Sequence, residues 1–183
     1  VSTQLLQLLA ELAYGDSTLA EPANEMLTQI LAGGRASEQI YMSLGTLALT
    51  SGDVDAAVDH LRLALAQAPH NPVIQNNLAL ALVRQSDDNA GPAFDLCSQA
   101  LKTMPNQPDV LSTRAEIQIA RKRWPEARLD LEAALASRPK SILVRQLLIL
   151  VYTELNEAGL AAEHQKVLDR LMEEQKASAE AGS

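Results

Sequence analysis

Apolar residues recur along the chain at three- and four-residue spacing, the period of a helix with one face buried. From Glu38 the run reads Tyr41, Leu44, Gly45, Ala48; from Pro72 it reads Gln75, Leu78, Ala79, Leu82; from Ile142 it reads Arg145, Leu148, Ile149, Tyr152. Each predicts a helix, and each is followed by a second apolar run. The second runs share a frame. Ala57, Ala93 and Ala127 each stand twelve residues before a proline, and Ala64, Ala100 and Ala134 each stand five before the same prolines, Pro69, Pro105 and Pro139. Proline cannot continue a helix, so each second helix ends there. Pro72 and Pro108 fall at the start of first helices, where a missing N–H costs nothing.

The three prolines lie 36 and 34 residues apart, so one turn-helix-turn unit has been written several times. The units are 38–71, 72–107, 108–141 and a degenerate 142–176. The two extra residues of the second unit fall in the turn "QSDDNAGP". A weaker unit over 4–37 keeps Tyr14, Ala23, Leu27 and Ile30 in frame, with Gly33-Gly34-Arg35 in place of the proline turn. From Ala158 to Lys176, Leu160, His164, Val167, Leu168 and Leu171 form one stripe among charges, which predicts an amphipathic capping helix. Residues 1–176 read as a single domain, and 177–183, "ASAEAGS", as a flexible tail. One helix pair cannot bury its apolar face alone, so such units stack into a solenoid.

The combination of an aromatic, Leu-Gly, a turn Gly, then Ala, Leu, Ala and Pro over 34 residues resembles the tetratricopeptide repeat (TPR). Unit 38–71 carries it most fully, with Tyr41, Leu44, Gly45, Ala57, Leu61, Ala64 and Pro69 in place. Unit 108–141 departs from it at Arg114, where leucine is usual, and unit 72–107 at Cys97, where a larger apolar residue is usual. The resemblance implies an all-α, right-handed solenoid of about ten antiparallel helices in four to five repeats, closed by the C-terminal helix. Gly45, Ala79, Ala57 and Ala127 would let helix backbones approach closely. Gly52-Asp53 would turn the chain between helices.

Composition agrees: Ala, Leu, Glu and Gln dominate, and β-branched and aromatic residues are sparse. A net charge of −8 argues against a general nucleic-acid partner. The charge is uneven, because residues 111–145 carry eight basic and four acidic side chains. Arg121, Lys122, Arg123 and Arg128 are the candidate basic edge within that stretch. Arg138, Lys140 and Arg145 belong to the same cluster, which would either attract an acidic partner or serve as solvated surface. The lone Cys97 excludes an internal disulfide and reads as a small core filler. No secretory signal is evident, and the run "SILVRQLLILVY" is too short to span a bilayer. The chain as given favours the cytoplasm, and the periplasm fits as well if a signal has been removed. A start at Val1 leaves open that it is cut from a longer protein.

No catalytic motif is present, and His60, His70 and His164 lack metal-ligand spacing. No enzyme activity, metal or cofactor is expected. "DDNAG" lacks the glutamate that completes a calcium loop and reads as a lengthened turn. Trp124, which closes the basic turn "RKRW", reads as an aromatic packing at the inter-helix turn.

The resemblance implies a non-catalytic interaction module whose first helices line a concave groove for a peptide or amphipathic helix of a partner; both ends read as caps, so a monomer is expected. A self-assembling scaffold, or a TPR domain of a larger enzyme, are the alternative readings. The groove candidates on the first helix of 38–71 are Met42, Thr46 and Leu49; on that of 72–107 they are Val73, Asn76, Asn77, Leu80 and Arg84. On that of 108–141 they are Ser112, Glu116 and Ile119, and on that of 142–176 Leu143, Gln146 and Leu150. Of the Lys, Asn and Arg set with which some TPRs clamp a C-terminal carboxylate, only Asn77 is matched. Helix 142–155 is apolar nearly all round, which is unusual for a helix with a wet face.

Overall fold

The computed structural model describes residues 20–33 and 36–181, with residues 4, 8, 9 and 12 of the preceding stretch. Tyr14, Gly34 and Arg35 of the weak first repeat lie outside the described residues. Among the described residues there are nine α-helices and one short 3-10 turn, and no strand. The chain divides into two compact units, 1–100 and 101–183.

In the first unit, α1 is Ala20–Ala32, α2 Glu38–Ser51, α3 Val54–Gln67 and α4 Pro72–Gln85; α5, Ala90–Thr103, starts here. The helix ends follow local chemistry. Gly52 takes φ 87° at the end of α2, a conformation open to glycine at no steric cost. Asp53 then caps α3 by accepting from the Ala56 N–H. α3 stops at Gln67, two residues before Pro69. Asn71 caps α4 at the N–H groups of Val73 and Ile74, with Pro72 in the first turn. The two extra residues of this repeat are taken up in the turn that holds the three-residue 3-10 segment Asp87–Asn89, which leads directly into α5.

The core of this unit gathers Leu27, Ile40, Tyr41, Leu44, Ala64 and Ile74, with Leu9 and Ala23. Ala57, Val58 and Leu61 are equally buried. Gly45 is why α2 and α3 come so close: a Cβ there would collide with the Leu61 side chain. Cys97 is fully buried on α5, where a small apolar filler fits.

The second unit holds the end of α5, then α6 Pro108–Ala120, α7 Trp124–Ser137, α8 Ile142–Glu154 and α9 Ala158–Ala181. Leu111, Ala115, Ala127, Leu131, Ala134, Val144, Leu148, Val151 and Tyr152 form its core, and Trp124 packs against it at the first residue of α7. Lys122 and Asn156 occupy the turn position that Gly52 holds in the first unit, at φ 55° and 59°. The bonds Arg123 N–H to Gln118 O and Glu157 N–H to Tyr152 O, both 2.8 Å, close these turns as Asp53 N–H to Ala48 O does at 2.9 Å. α9 runs to Ala181, so residues 177–181 of the stretch expected as a tail are helical. Three alanines in five residues give that extension its propensity.

Candidate functional site

The first-helix residues that could meet a partner divide by exposure. In the first unit Thr46, Val73 and Arg84 are exposed, while Met42, Leu49, Asn77 and Leu80 are half-buried. Asn76 is buried. A polar ladder explains the asparagines. Asn76 Nδ2 donates to Asn77 Oδ1, Asn77 Nδ2 donates to Thr46 Oγ1 at 3.1 Å, and the Thr46 hydroxyl donates to the Met42 carbonyl at 2.8 Å. The ladder ties α4 to α2, so Asn77 is already engaged within the fold. Met42 packs on the core beneath.

In the second unit the open residues are all on α8. Leu143 is 47% exposed, Leu150 is 42% exposed, and Gln146 between them is exposed. Leu147 of the same helix turns inward and packs on the core. On α6, Ser112 is buried and donates its hydroxyl to Pro108 O, Ile119 packs on the core, and Glu116 is half-buried. Spacing alone put Asn76 and Ser112 on the open face. Their neighbours cover them, because a helix position faces whatever element is stacked upon it.

The basic stretch also separates into two kinds of side chain. Arg121, Lys122 and Arg123 are exposed at the α6–α7 turn. Arg128 is half-buried instead, with Nη1 3.1 Å from Glu157 Oε1 and Nε 3.7 Å from Glu132 Oε1. Glu132 in turn accepts from the Tyr152 hydroxyl at 2.8 Å. Burial first, and that bond second, push the Tyr152 hydroxyl up to about 12. Arg138 holds Asp109 with both nitrogens of its fork, which raises it, and Arg145 donates to Pro139 O. Much of what composition shows as a basic edge is therefore internal bonding between neighbouring helices.

One pair was not legible as a site at all. Arg114, on α6 where leucine is usual, bonds the buried Asp130 of α7 with Nε to Oδ2 at 2.7 Å and Nη2 to Oδ1 at 2.6 Å. The available signal was the double departure: an arginine at an apolar position, and an aspartate on the buried stripe sixteen residues later. Among the described residues no group of three or more His, Cys, Asp or Glu side chains is placed to hold a metal ion. No described helix is long and apolar enough to cross a membrane.

A family model described as tetratricopeptide repeat matches residues 86–149. No curated protein sequence matches the chain. Among solved structures, MamA from Desulfovibrio magneticus RS-1 aligns with a TM-score of 0.74 at 14% identity, over 94% of this chain and 96% of that one. The first TPR domain of human RPAP3 aligns with a TM-score of 0.59 at 22% identity, over 67% of this chain and 94% of that one. The first TPR of Spaghetti (RPAP3), solved bound to the HSP90 peptide SRMEEVD, aligns with a TM-score of 0.58 at 22% identity, over 66% and 94%. Residues 86–149 therefore belong to the tetratricopeptide repeat family, and the described helices have the fold of TPR proteins.

Proposed function

We propose that this chain is a non-catalytic protein-interaction module whose first helices hold an apolar or amphipathic segment of a partner. The observation that carries the reading is the pair Leu143 and Leu150, left 47% and 42% exposed on one face of α8. They are seven residues apart, two helical turns, so their side chains stand about 10 Å from one another along the helix. A partner helix with two apolar residues at the same spacing would cover both. Burying a leucine side chain fully is worth about 1.5–3 kcal/mol, so two half-exposed leucines make a useful anchor. In the first unit, taken by itself, Val73 offers an apolar contact.

The RPAP3 relative supports a partner of peptide size, because it was solved with an HSP90 peptide bound. The chemistry of the present chain points to a different peptide. The positions that would face an acidic C-terminus carry Asp109 and Glu116, and Asn77 is bonded to Thr46. An apolar anchor fits these residues better than a carboxylate does.

The test is to purify a partner, identify it, and titrate it against Leu150→Asp and Leu80→Asp. Binding should weaken at least about tenfold, or 1.4 kcal/mol, while circular dichroism stays helical. Folded variants with undiminished affinity would place the partner on the second helices or the turns.

A further inference from the structure

Counting from the buried alanines Ala57, Ala93, Ala127 and Ala161, the residue three places further on is His60, Leu96, Asp130 and His164. A residue three places on lies one turn along the same helix face, so each stands beside the contact with a neighbouring helix. In three hairpins it meets a side chain of the first helix. His60 stacks on Tyr41 of α2 with ring centroids 6.5 Å apart and planes at 27°. Asp130 takes Arg114 of α6. His164 lies against Tyr152 of α8 with centroids 5.3 Å apart, and its Nδ1 is 3.4 Å from Arg145 Nη1. One repeat position thus closes the hairpin by ring stacking in α2–α3 and α8–α9, and by an ion pair in α6–α7.

The charges around the two rings do not compensate a proton. Burial is the largest influence on both and lowers their affinity for it. Asp59 of α3 and Asp53 of the preceding turn oppose burial at His60 without overcoming it. At His164, Arg145 of α8 acts with burial, while Glu163 of α9 and Glu132 of α7 oppose it. Tyr152, held by Glu132, stays neutral. The unfolded chain therefore takes up protons at a higher pH than the folded one does. The stability these rings contribute is complete above the ordinary histidine value of 6.5 and is lost as pH falls below it.

We propose that the shared position of His60 and His164 makes the α2–α3 and α8–α9 hairpins acid-labile joints, which loosen while the α6–α7 hairpin stays closed. The α6–α7 hairpin has no histidine, so it is the internal control.

The experiment is hydrogen exchange on the whole chain at about pH 7.5 and about pH 5.5, either side of the histidine range, corrected for the intrinsic rate. Protection in α3 and α9 should drop severalfold at the lower pH, and that in α7 should not. His60→Leu, which copies Leu96 at the same position, should abolish the drop in α3 and leave the one in α9. His164→Leu should do the reverse. An equal drop in all three hairpins, or one that survives the matching leucine variant, overturns the proposal. Should a leucine variant fail to fold, imidazole titration by NMR in the unsubstituted chain decides. Midpoints below 6.5 for both rings support the joints, and midpoints at or above it overturn them.

Discussion

Arg114 closes a bidentate fork on Asp130, at 2.7 and 2.6 Å, whereas the residues in frame with Asp130 in the α2–α3 and α8–α9 hairpins, His60 and His164, lie against tyrosine rings. The aspartate is buried and the arginine only partly so, with side-chain exposures of 8% and 26%. Removing the arginine leaves a carboxylate in the core without its main partner. Arg114→Leu should therefore destabilise the chain by about 2–4 kcal/mol, although leucine matches Leu44, Leu78 and Leu148 in frame. Adding Asp130→Leu should recover most of the loss, because replacing both partners removes the stranded charge. Urea denaturation of the two single variants and the double variant measures this coupling directly.

Close helix packing at the small residues gives a second test. Ala57 and Ala127 are fully buried, and Gly45 leaves no room for a Cβ against Leu61. Ala57→Leu and Ala127→Leu should each cost about 1–3 kcal/mol by overpacking. Leu129→Ala, at a position 61% exposed on the same helix as Ala127, should change stability by less than about 0.5 kcal/mol. Equal effects at Ala127 and Leu129 would show that the repeat frame is misplaced.

The α6–α7 turn carries avoidable strain. Lys122 sits at φ 55°, where Gly52 and Asn156 serve the α2–α3 and α8–α9 hairpins. A left-handed lysine is disfavoured by its Cβ, and glycine is not. Lys122→Gly should raise stability by about 0.5–1 kcal/mol, a gain set against the added freedom of glycine in the unfolded chain. Thermal melting reads it, and an unchanged or lower melting temperature counts against the turn geometry.

Charge at the same turn gives a test of the proposed interaction role. Arg121, Lys122 and Arg123 are exposed, whereas Arg128 is tied to Glu157 and Glu132. If a partner brings an acidic segment to this turn, Arg121→Glu with Arg123→Glu should slow its association, and the slowing should fade as salt rises. Arg128→Ala should instead lower stability by about 0.5–1 kcal/mol with little change in association rate. Stopped-flow association at two ionic strengths distinguishes the two effects.

The local features of this protein were decided in the sequence. The helices start at Pro72, Pro108 and Ile142 and end ahead of Pro69, Pro105 and Pro139, because proline and capping side chains act on the backbone within one turn. The small-residue frame was legible for a related reason: close packing repeats with the unit, so a period of 34 shows it without coordinates. Gly52 and Asp53 turn the chain where they were expected to.

Tertiary structure decided what each side chain meets. Helical periodicity says which positions share a face, and it cannot say how deeply a neighbouring helix covers that face. Asn76 and Ser112 are therefore buried while Leu143 and Leu150 lie open, although all four occupy the same kind of position. The partnership of Arg114 with Asp130 and the stacking of His60 on Tyr41 and of His164 on Tyr152 arise only when two helices are laid side by side, since each depends on a distance across a hairpin and not along the chain.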